Sequence, residues 1–241
     1  MRVKMTIAYN GASYFGSQVQ KETEQTVNGQ IEKALGLLQI ETKVIASGRT
    51  DRGVHASRQV IHFDLPPFWS DLNKLQESLQ RILPTDIAIR RLEKVDDNFH
   101  ARYSAKKRAY RYIISTQKPN PFLADLVTYV DALDTEKIKE AITLFEGEHN
   151  FEQFKKSGSD TEHFVREIYK TRVYNHKGYT VIYFEANGFL RSQIRLMVGF
   201  LLQISSEKQT KEDLLDQLSC EKSFKLKPAP HQGLYLCNIK Y

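Results

Sequence analysis

Only two cysteines, Cys220 and Cys237, occur among the 241 residues. They are too few and too far apart for a zinc cage or a disulfide framework, and a reduced, intracellular setting is the natural reading. No apolar run approaches the roughly 20 residues that a membrane span needs. The opening Met-Arg-Val-Lys-Met-Thr-Ile runs straight into a strand pattern, without the apolar stretch and cleavage site of a secretion signal. A cytoplasmic protein is therefore expected. The chain has no Gly-x-Gly-x-x-Gly fingerprint, no P-loop and no clustered metal ligands, so neither a cofactor nor a metal is expected. His55, His62 and His100 read as structural or hydrogen-bonding groups. Repeats, low-complexity tracts and flexible linkers are also missing.

What is present is the composition of a soluble globular protein, 41% hydrophobic and 27% charged, with chain enough for a sizeable core. The net charge of +6 leans toward an anionic partner such as nucleic acid, although charge alone is weak evidence. Val3, Met5, Ile7 and Tyr9 alternate as in a half-buried strand, and Val27, Ile31, Ala34, Leu35 and Leu38 follow helical spacing. Further strands are expected over Lys43–Ala46, Gln59–Leu65 and Asp86–Val95. Leu72, Leu75, Leu79 and Ile82 mark a helix capped by Ser70 or Asp71. From Lys106 a second half repeats the mixture. It has strands over Arg108–Ser115, Glu167–Tyr174 and Tyr179–Ala186, and helices around Ile138–Phe145, Ser192–Ile204 and Leu214. Leu234–Tyr241 closes the chain as a strand. The expected class is α+β: two similar mixed halves, 1–105 and 106–241, with largely antiparallel sheets, helices on one face and an active-site cleft between the halves.

One stretch carries the chemistry: Gly48-Arg49-Thr50-Asp51-Arg52-Gly53-Val54-His55-Ala56. Its glycines allow a sharp turn and close approach to a ligand. An acid set between two arginines is expected to stay ionised, as a covalent nucleophile must, while the arginines suit phosphates. The bland alternative is an Asp-Arg ion pair closing a turn. A second feature is a basic run, Arg102, Lys106, Lys107, Arg108 and Arg111, interleaved with Tyr103, Tyr110 and Tyr112, as RNA contacts require. A solvated charged strand would look the same.

The stretch resembles the Gly-Arg-Thr-Asp-x-Gly-Val-His-Ala signature of the tRNA pseudouridine synthase A family. The resemblance extends along the chain in order. It takes in Tyr9-Asn10-Gly11 with Tyr14, Gly16, Gln18 and Gln20, then Gln59-Val60, His62-Phe63 and Leu83-Pro84-Thr85-Asp86-Ile87. Phe99-His100-Ala101-Arg102, Ser104-Ala105 and Tyr110-Arg111-Tyr112 follow. The last blocks are Asn187-Gly188-Phe189-Leu190, Arg195, Val198-Gly199 and Gly233-Leu234-Tyr235-Leu236. Departures are Asn10 for the usual Asp, Ser17 for Trp, Arg52 for a small residue, and Arg191-Ser192-Gln193 for a His/Tyr-His-Met run.

The resemblance implies a cofactor-free isomerase that converts uridine to pseudouridine at positions 38, 39 and 40 of the tRNA anticodon arm, working as a homodimer. Asp51 is then the nucleophile, acting by attack at C1′ or by removal of the C2′ proton. Tyr110 stacks on the uracil and serves in proton transfer. Arg195 is the charge partner of Asp51. Arg49, Arg52, Arg102, Lys106 and Lys107 hold the RNA. Two other readings compete: a non-catalytic RNA-binding protein, which leaves the Arg-flanked acid unexplained, and a carboxylate-nucleophile hydrolase, which would need further carboxylates for Mg²⁺. A narrower or different RNA target is a third.

Overall fold

The computed structural model describes residues 1–156, 158 and 163–241. In chain order the elements are β1 (Arg2–Tyr9), α1 (Val27–Leu37), β2 (Ile45–Ala46), β3 (His55–Asp64), α2 (Leu72–Ile82), β4 (Ile87–Lys94), β5 (Lys107–Ser115), β6 (Thr128–Tyr129), α3 (Thr135–Ile142), β7 (Gly147–Asn150), β8 (Val165–His176), β9 (Tyr179–Ala186), α4 (Gln193–Ser205), α5 (Lys211–Leu218) and β10 (Leu234–Lys240). The class is α+β, as the sequence led one to expect. The chain forms two compact units, Met1–Lys106 with Tyr235–Tyr241, and Lys107–Leu234. A division at 105/106 would leave the terminal strand with the second half. Its residues Tyr235–Tyr241 instead cluster with the first unit.

In the first unit β1 pairs antiparallel with both β3 and β4, and β2 pairs antiparallel with β3. β10 lies parallel to β3, Tyr235 opposite His55 and Leu236 opposite Ala56. Val3, Met5 and Ile7 are wholly buried on one face of β1, while the residues between them are half-buried. Helix α2 forms where its leucines recur at three and four residues. It is capped by Asp71, whose carboxylate accepts from the Lys74 N–H. It turns Leu75 and Leu79 inward, and each fully buried leucine stabilises by about 1.5–3 kcal/mol. The helix ends before Leu83-Pro84, because a residue preceding proline is steered to extended backbone.

The second unit is built on antiparallel pairs β5–β9, β9–β8 and β8–β7, with β6 parallel to β5. Its core is aromatic: the Phe145 ring meets Phe154 edge-on at 5.5 Å and Phe184 at 6.3 Å. The long apolar helix is α4, which packs on α3. Its start differs from expectation. Ser192 has φ 59 and makes no side-chain cap, and the helix begins at Gln193. The buried Gln193 side chain accepts from the Leu190 N–H at 2.7 Å and so fixes the turn that leads into the helix. The chain at Lys227–Ala229 lies directly against α4: the Ala229 N–H donates to the Arg195 carbonyl at 2.8 Å, and a Cβ on Gly199 would come within 2.3 Å of the Lys227 carbonyl oxygen.

Several strands differ from the sequence pattern. Of Lys43–Ala46 only the last two residues pair, since the Val44 N–H is taken by the Glu32 carboxylate at 2.9 Å. β3 begins at His55, earlier than expected, because its first residues find their partners on β10. β6 and the polar β7 are too short for alternation to mark them.

His62 lies on β3, buried, its Nδ1 accepting from the Ala101 N–H at 3.1 Å. Burial first, then the positive Arg2 and His100 nearby, lower its pKa to about 4, against a smaller opposing effect of Asp64. The folded protein thus favours the neutral ring. That contribution to stability is present above the unfolded value of about 6.5 and is lost as pH falls toward the folded value. Urea midpoints measured across that window should drop with pH, and His62→Gln should flatten the drop. An equally steep loss in the variant assigns the pH dependence to other groups.

Two glycine substitutions should have opposite signs. Gly199→Ala forces a Cβ into the Lys227 carbonyl and should destabilise by about 1–3 kcal/mol or more. Gly36 sits in α1 with nothing within 4 Å of a built Cβ, so Gly36→Ala should stabilise by about 0.5–1 kcal/mol. Thermal melts of the two variants check both signs.

Candidate active site

The Arg-flanked acid sits in the loop between β2 and β3, and a second loop, residues 10–17, clamps it. Thr50 is the hub. Its N–H donates to the Ser17 hydroxyl at 2.9 Å, its carbonyl accepts from the Ser17 N–H at 3.1 Å, and its hydroxyl bonds the Tyr9 hydroxyl at 2.8 Å. Tyr9, Ser17 and Thr50 are all buried. Burial, the leading cause, pushes the Tyr9 phenol up to about 12, so it stays protonated for this bond. Gly16 approaches the loop at φ 107, and a Cβ there would come within 2.9 Å of the Thr50 carbonyl oxygen.

The downstream side is held as firmly. The Gly53 N–H donates to the Tyr14 carbonyl at 3.3 Å, and the Val54 N–H closes a turn onto the Asp51 carbonyl at 3.1 Å. The Gly11 N–H donates to His55 Nδ1 at 3.0 Å, and the His55 ring stacks on Tyr235 at 4.6 Å. A Cβ on Gly11 would lie 2.0 Å from the Val54 carbonyl oxygen, so the loops touch backbone to backbone. Upstream, Gln59 accepts from the Ser47 hydroxyl at 2.9 Å and donates to the Gly48 carbonyl at 2.8 Å. The Tyr14 hydroxyl donates to Asp86 at 2.5 Å, and burial and that carboxylate both push the phenol up. Asp86 thus serves the clamp.

Asp51 itself is half-buried, while Arg49 and Arg52 are exposed. Among the described residues neither arginine forms an ion pair or donates a side-chain hydrogen bond. Among the described residues neither Arg49 nor Arg52 closes the turn by an ion pair with Asp51. The Arg52 guanidinium instead lies 4.4 Å from the centroid of the Phe15 ring.

The other expected site residues are spread over both units. In the first, Arg102 is exposed with its guanidinium 5.7 Å from the Tyr103 ring, and Lys106 is exposed. In the second, Tyr110 lies on β5, only 8% exposed, with its ring edge-on to Phe189 at 5.3 Å. Tyr112, two residues along the same face, is a core residue. It is wholly buried and its hydroxyl donates to the Pro230 carbonyl at 2.8 Å and bonds Thr128 at 2.7 Å. Arg195 is half-buried on α4, and its Nε donates to the Ala229 carbonyl at 2.7 Å. Lys107 has structural partners: the nearly buried Glu185 at 3.7 Å and the Tyr169 ring at 4.3 Å. Arg191 donates to the Gly158 carbonyl at 3.3 Å.

Sequence reasoning did not find the clamp. Ser17 and Tyr9 carry no chemical signature of their own. Phe15 gives no signal in the sequence, because one aromatic in a loop has no periodicity. Among the described residues, no three His, Cys, Asp or Glu side chains are grouped to hold a metal. No helix of the described residues is long and apolar enough to cross a membrane.

Comparison with known proteins places this arrangement. A family model described as tRNA pseudouridine synthase matches residues 5–104 and 141–241. The tRNA pseudouridine synthase A of Wolinella succinogenes is 41% identical over 235 residues, 98% of this chain and 92% of that protein. The protein of the same description from Helicobacter hepaticus is 38% identical, over 99% of this chain and 98% of its own. That from Limosilactobacillus reuteri is also 38% identical, over 100% and 96%. With the Asp51 loop inside the first matched segment and Arg195 inside the second, the chain belongs to the tRNA pseudouridine synthase family.

Proposed function

We propose that the protein isomerises uridine to pseudouridine in the anticodon arm of tRNA, at positions 38, 39 and 40, with Asp51 as the nucleophile. The observation that carries this is the clamped loop. A carboxylate is presented between two exposed arginines that have no acceptor among the described residues. That is a poor way to stabilise a turn and a good way to offer an acid and two phosphate ligands to RNA.

The reaction exchanges one bond for another. The N1–C1′ bond breaks, the freed uracil turns, and C5 bonds to C1′ while its proton leaves and N1 regains one. The balance needs no oxidant, no phosphoryl donor and no external group. The target base must first leave its stack, and Arg49 and Arg52 hold the flanking backbone while it does so. Asp51 acts on the ribose either by attacking C1′ as the glycosidic bond breaks, its own bond to C1′ breaking again when C5 joins, or by taking the C2′ proton and returning it, and rigid fixing of its loop spares the reorganisation a mobile loop would require. Tyr110 stacks on the uracil, and its hydroxyl relays the C5 proton. Arg195 supplies positive charge to the same reaction, its Nε already fixed to Ala229. Arg102, Lys106 and Lys107 extend the RNA track, Lys107 beside its structural pairing with Glu185. The partners are tRNA and a second copy of this chain, and the setting is the cytoplasm.

Asp51→Asn keeps the size of the side chain and removes its charge. It should abolish tritium release from tRNA labelled at uridine C5 while leaving tRNA affinity and thermal stability near wild type. Appreciable release in the variant would remove Asp51 from the chemistry.

Tyr110→Phe separates ring from hydroxyl. With the hydroxyl in proton transfer, single-turnover rates should fall by roughly 10²–10⁴-fold with tRNA affinity almost unchanged. Tyr110→Leu, which removes the stacking ring as well, should be slower still. Near wild-type rates in Tyr110→Phe would leave only the stacking role.

A further inference from the structure

We infer that Phe15 and Arg52 work as one RNA-gripping unit beside the nucleophile, in which the Phe15 ring holds the Arg52 guanidinium ready for a backbone phosphate next to the target nucleotide. The inference rests on the proposed function and adds to it a positioning residue, Phe15, and a ligand for Arg52.

Arg52 stands where the signature usually has a small residue, so its side chain is an addition to the loop. It is exposed and has neither a carboxylate partner nor a hydrogen-bond acceptor among the described residues. What it has is the Phe15 ring, 4.4 Å from the guanidinium carbon. A cation over a ring is attracted by the ring's quadrupole. A guanidinium that meets a ring with its face keeps its in-plane N–H donors, which match a phosphate in a two-pronged geometry. Phe15 itself is 41% exposed, so its ring is open to the guanidinium.

The backbone that carries the ring is also anchored. The Phe15 N–H donates to the Gln25 carbonyl at 2.9 Å and the Gly16 carbonyl accepts from the Val27 N–H at 3.2 Å. Its neighbours Tyr14 and Ser17 bond to Gly53 and Thr50 of the Asp51 loop. Phe15 is thus tied to the residues on either side of Asp51 and Arg52. A free arginine side chain loses about 2 kcal/mol of rotamer entropy when it is fixed. A rigid aromatic platform removes part of that cost before RNA arrives.

The test is a double-mutant cycle on tRNA binding and kinetics in the full-length protein, with Arg52→Ala, Phe15→Leu and the pair. Leucine keeps the apolar bulk and lacks the π face, so it tests the ring contact without opening a hole. Phe15→Tyr, which keeps the ring, serves as the rescue. Arg52→Ala should weaken tRNA binding roughly 10- to 100-fold and reduce the salt slope of log Kd by about one. Phe15→Leu should raise KM and Kd in the same direction by several-fold, with the loss falling on KM rather than on the saturated rate. The double variant should be no weaker than Arg52→Ala alone, and Phe15→Tyr should restore binding.

Additive losses would mean that the two residues act separately and would overturn the inference. So would unchanged binding together with a lower melting temperature, because Phe15–Arg52 would then be only a brace between loops. A wild-type protein that forms no pseudouridine in any tRNA would instead defeat the functional reading itself.

Discussion

Thr50 is the point on which the active-site loop depends. Both of its backbone hydrogen-bonding groups and its hydroxyl are used, all by residues of one other segment, Tyr9 and Ser17. A loop that carries a nucleophile must be exposed at one residue and immobile at the next. Here the change from buried to accessible happens between Thr50 and Asp51, inside a single peptide unit. The buried bonds on the Thr50 side are worth more than their count, since breaking one would leave a polar group desolvated without a partner.

The clamp constrains the sequence around it. Gly11 and Gly16 are required by contact: each has a carbonyl oxygen of the Asp51 loop where its Cβ would be. Tyr14 reaches Asp86, and His55 is fixed between the Gly11 N–H and the Tyr235 ring. Asn10, in place of the family's usual Asp, accepts from the Ala12 N–H at 3.1 Å and turns the chain into the clamp. Ser17, in place of the usual Trp, completes it. These two departures are parts of the loop's support.

In the second unit the same economy separates two tyrosines on one strand face. Tyr112 uses its hydroxyl on Thr128 and Pro230 and is structural. Tyr110 is placed against Phe189 at the rim of the buried region. The two are indistinguishable by periodicity, and only their surroundings differ. Lys107 makes the same point for charge. In the chain it is one cation in a basic run, but in the fold it faces a nearly buried glutamate.

By itself the sequence determined the class of the fold, the long strands and helices, and the Asp51 signature. These are local properties: alternation, three-and-four spacing, caps and a contiguous motif are all carried by residues within a few positions of one another. Only the tertiary structure decided the rest. It began β3 at His55, because the partners of that strand's first residues lie at Tyr235 and Leu236. It returned the last strand to the first unit. Among the described residues it left Arg49 and Arg52 without an ion pair or a side-chain hydrogen bond, and it gave Arg52 the ring of Phe15. The physical reason is the same throughout. A hydrogen bond, a ring contact or an ion pair between residues tens or hundreds of positions apart depends on where the chain returns, and no local pattern records that.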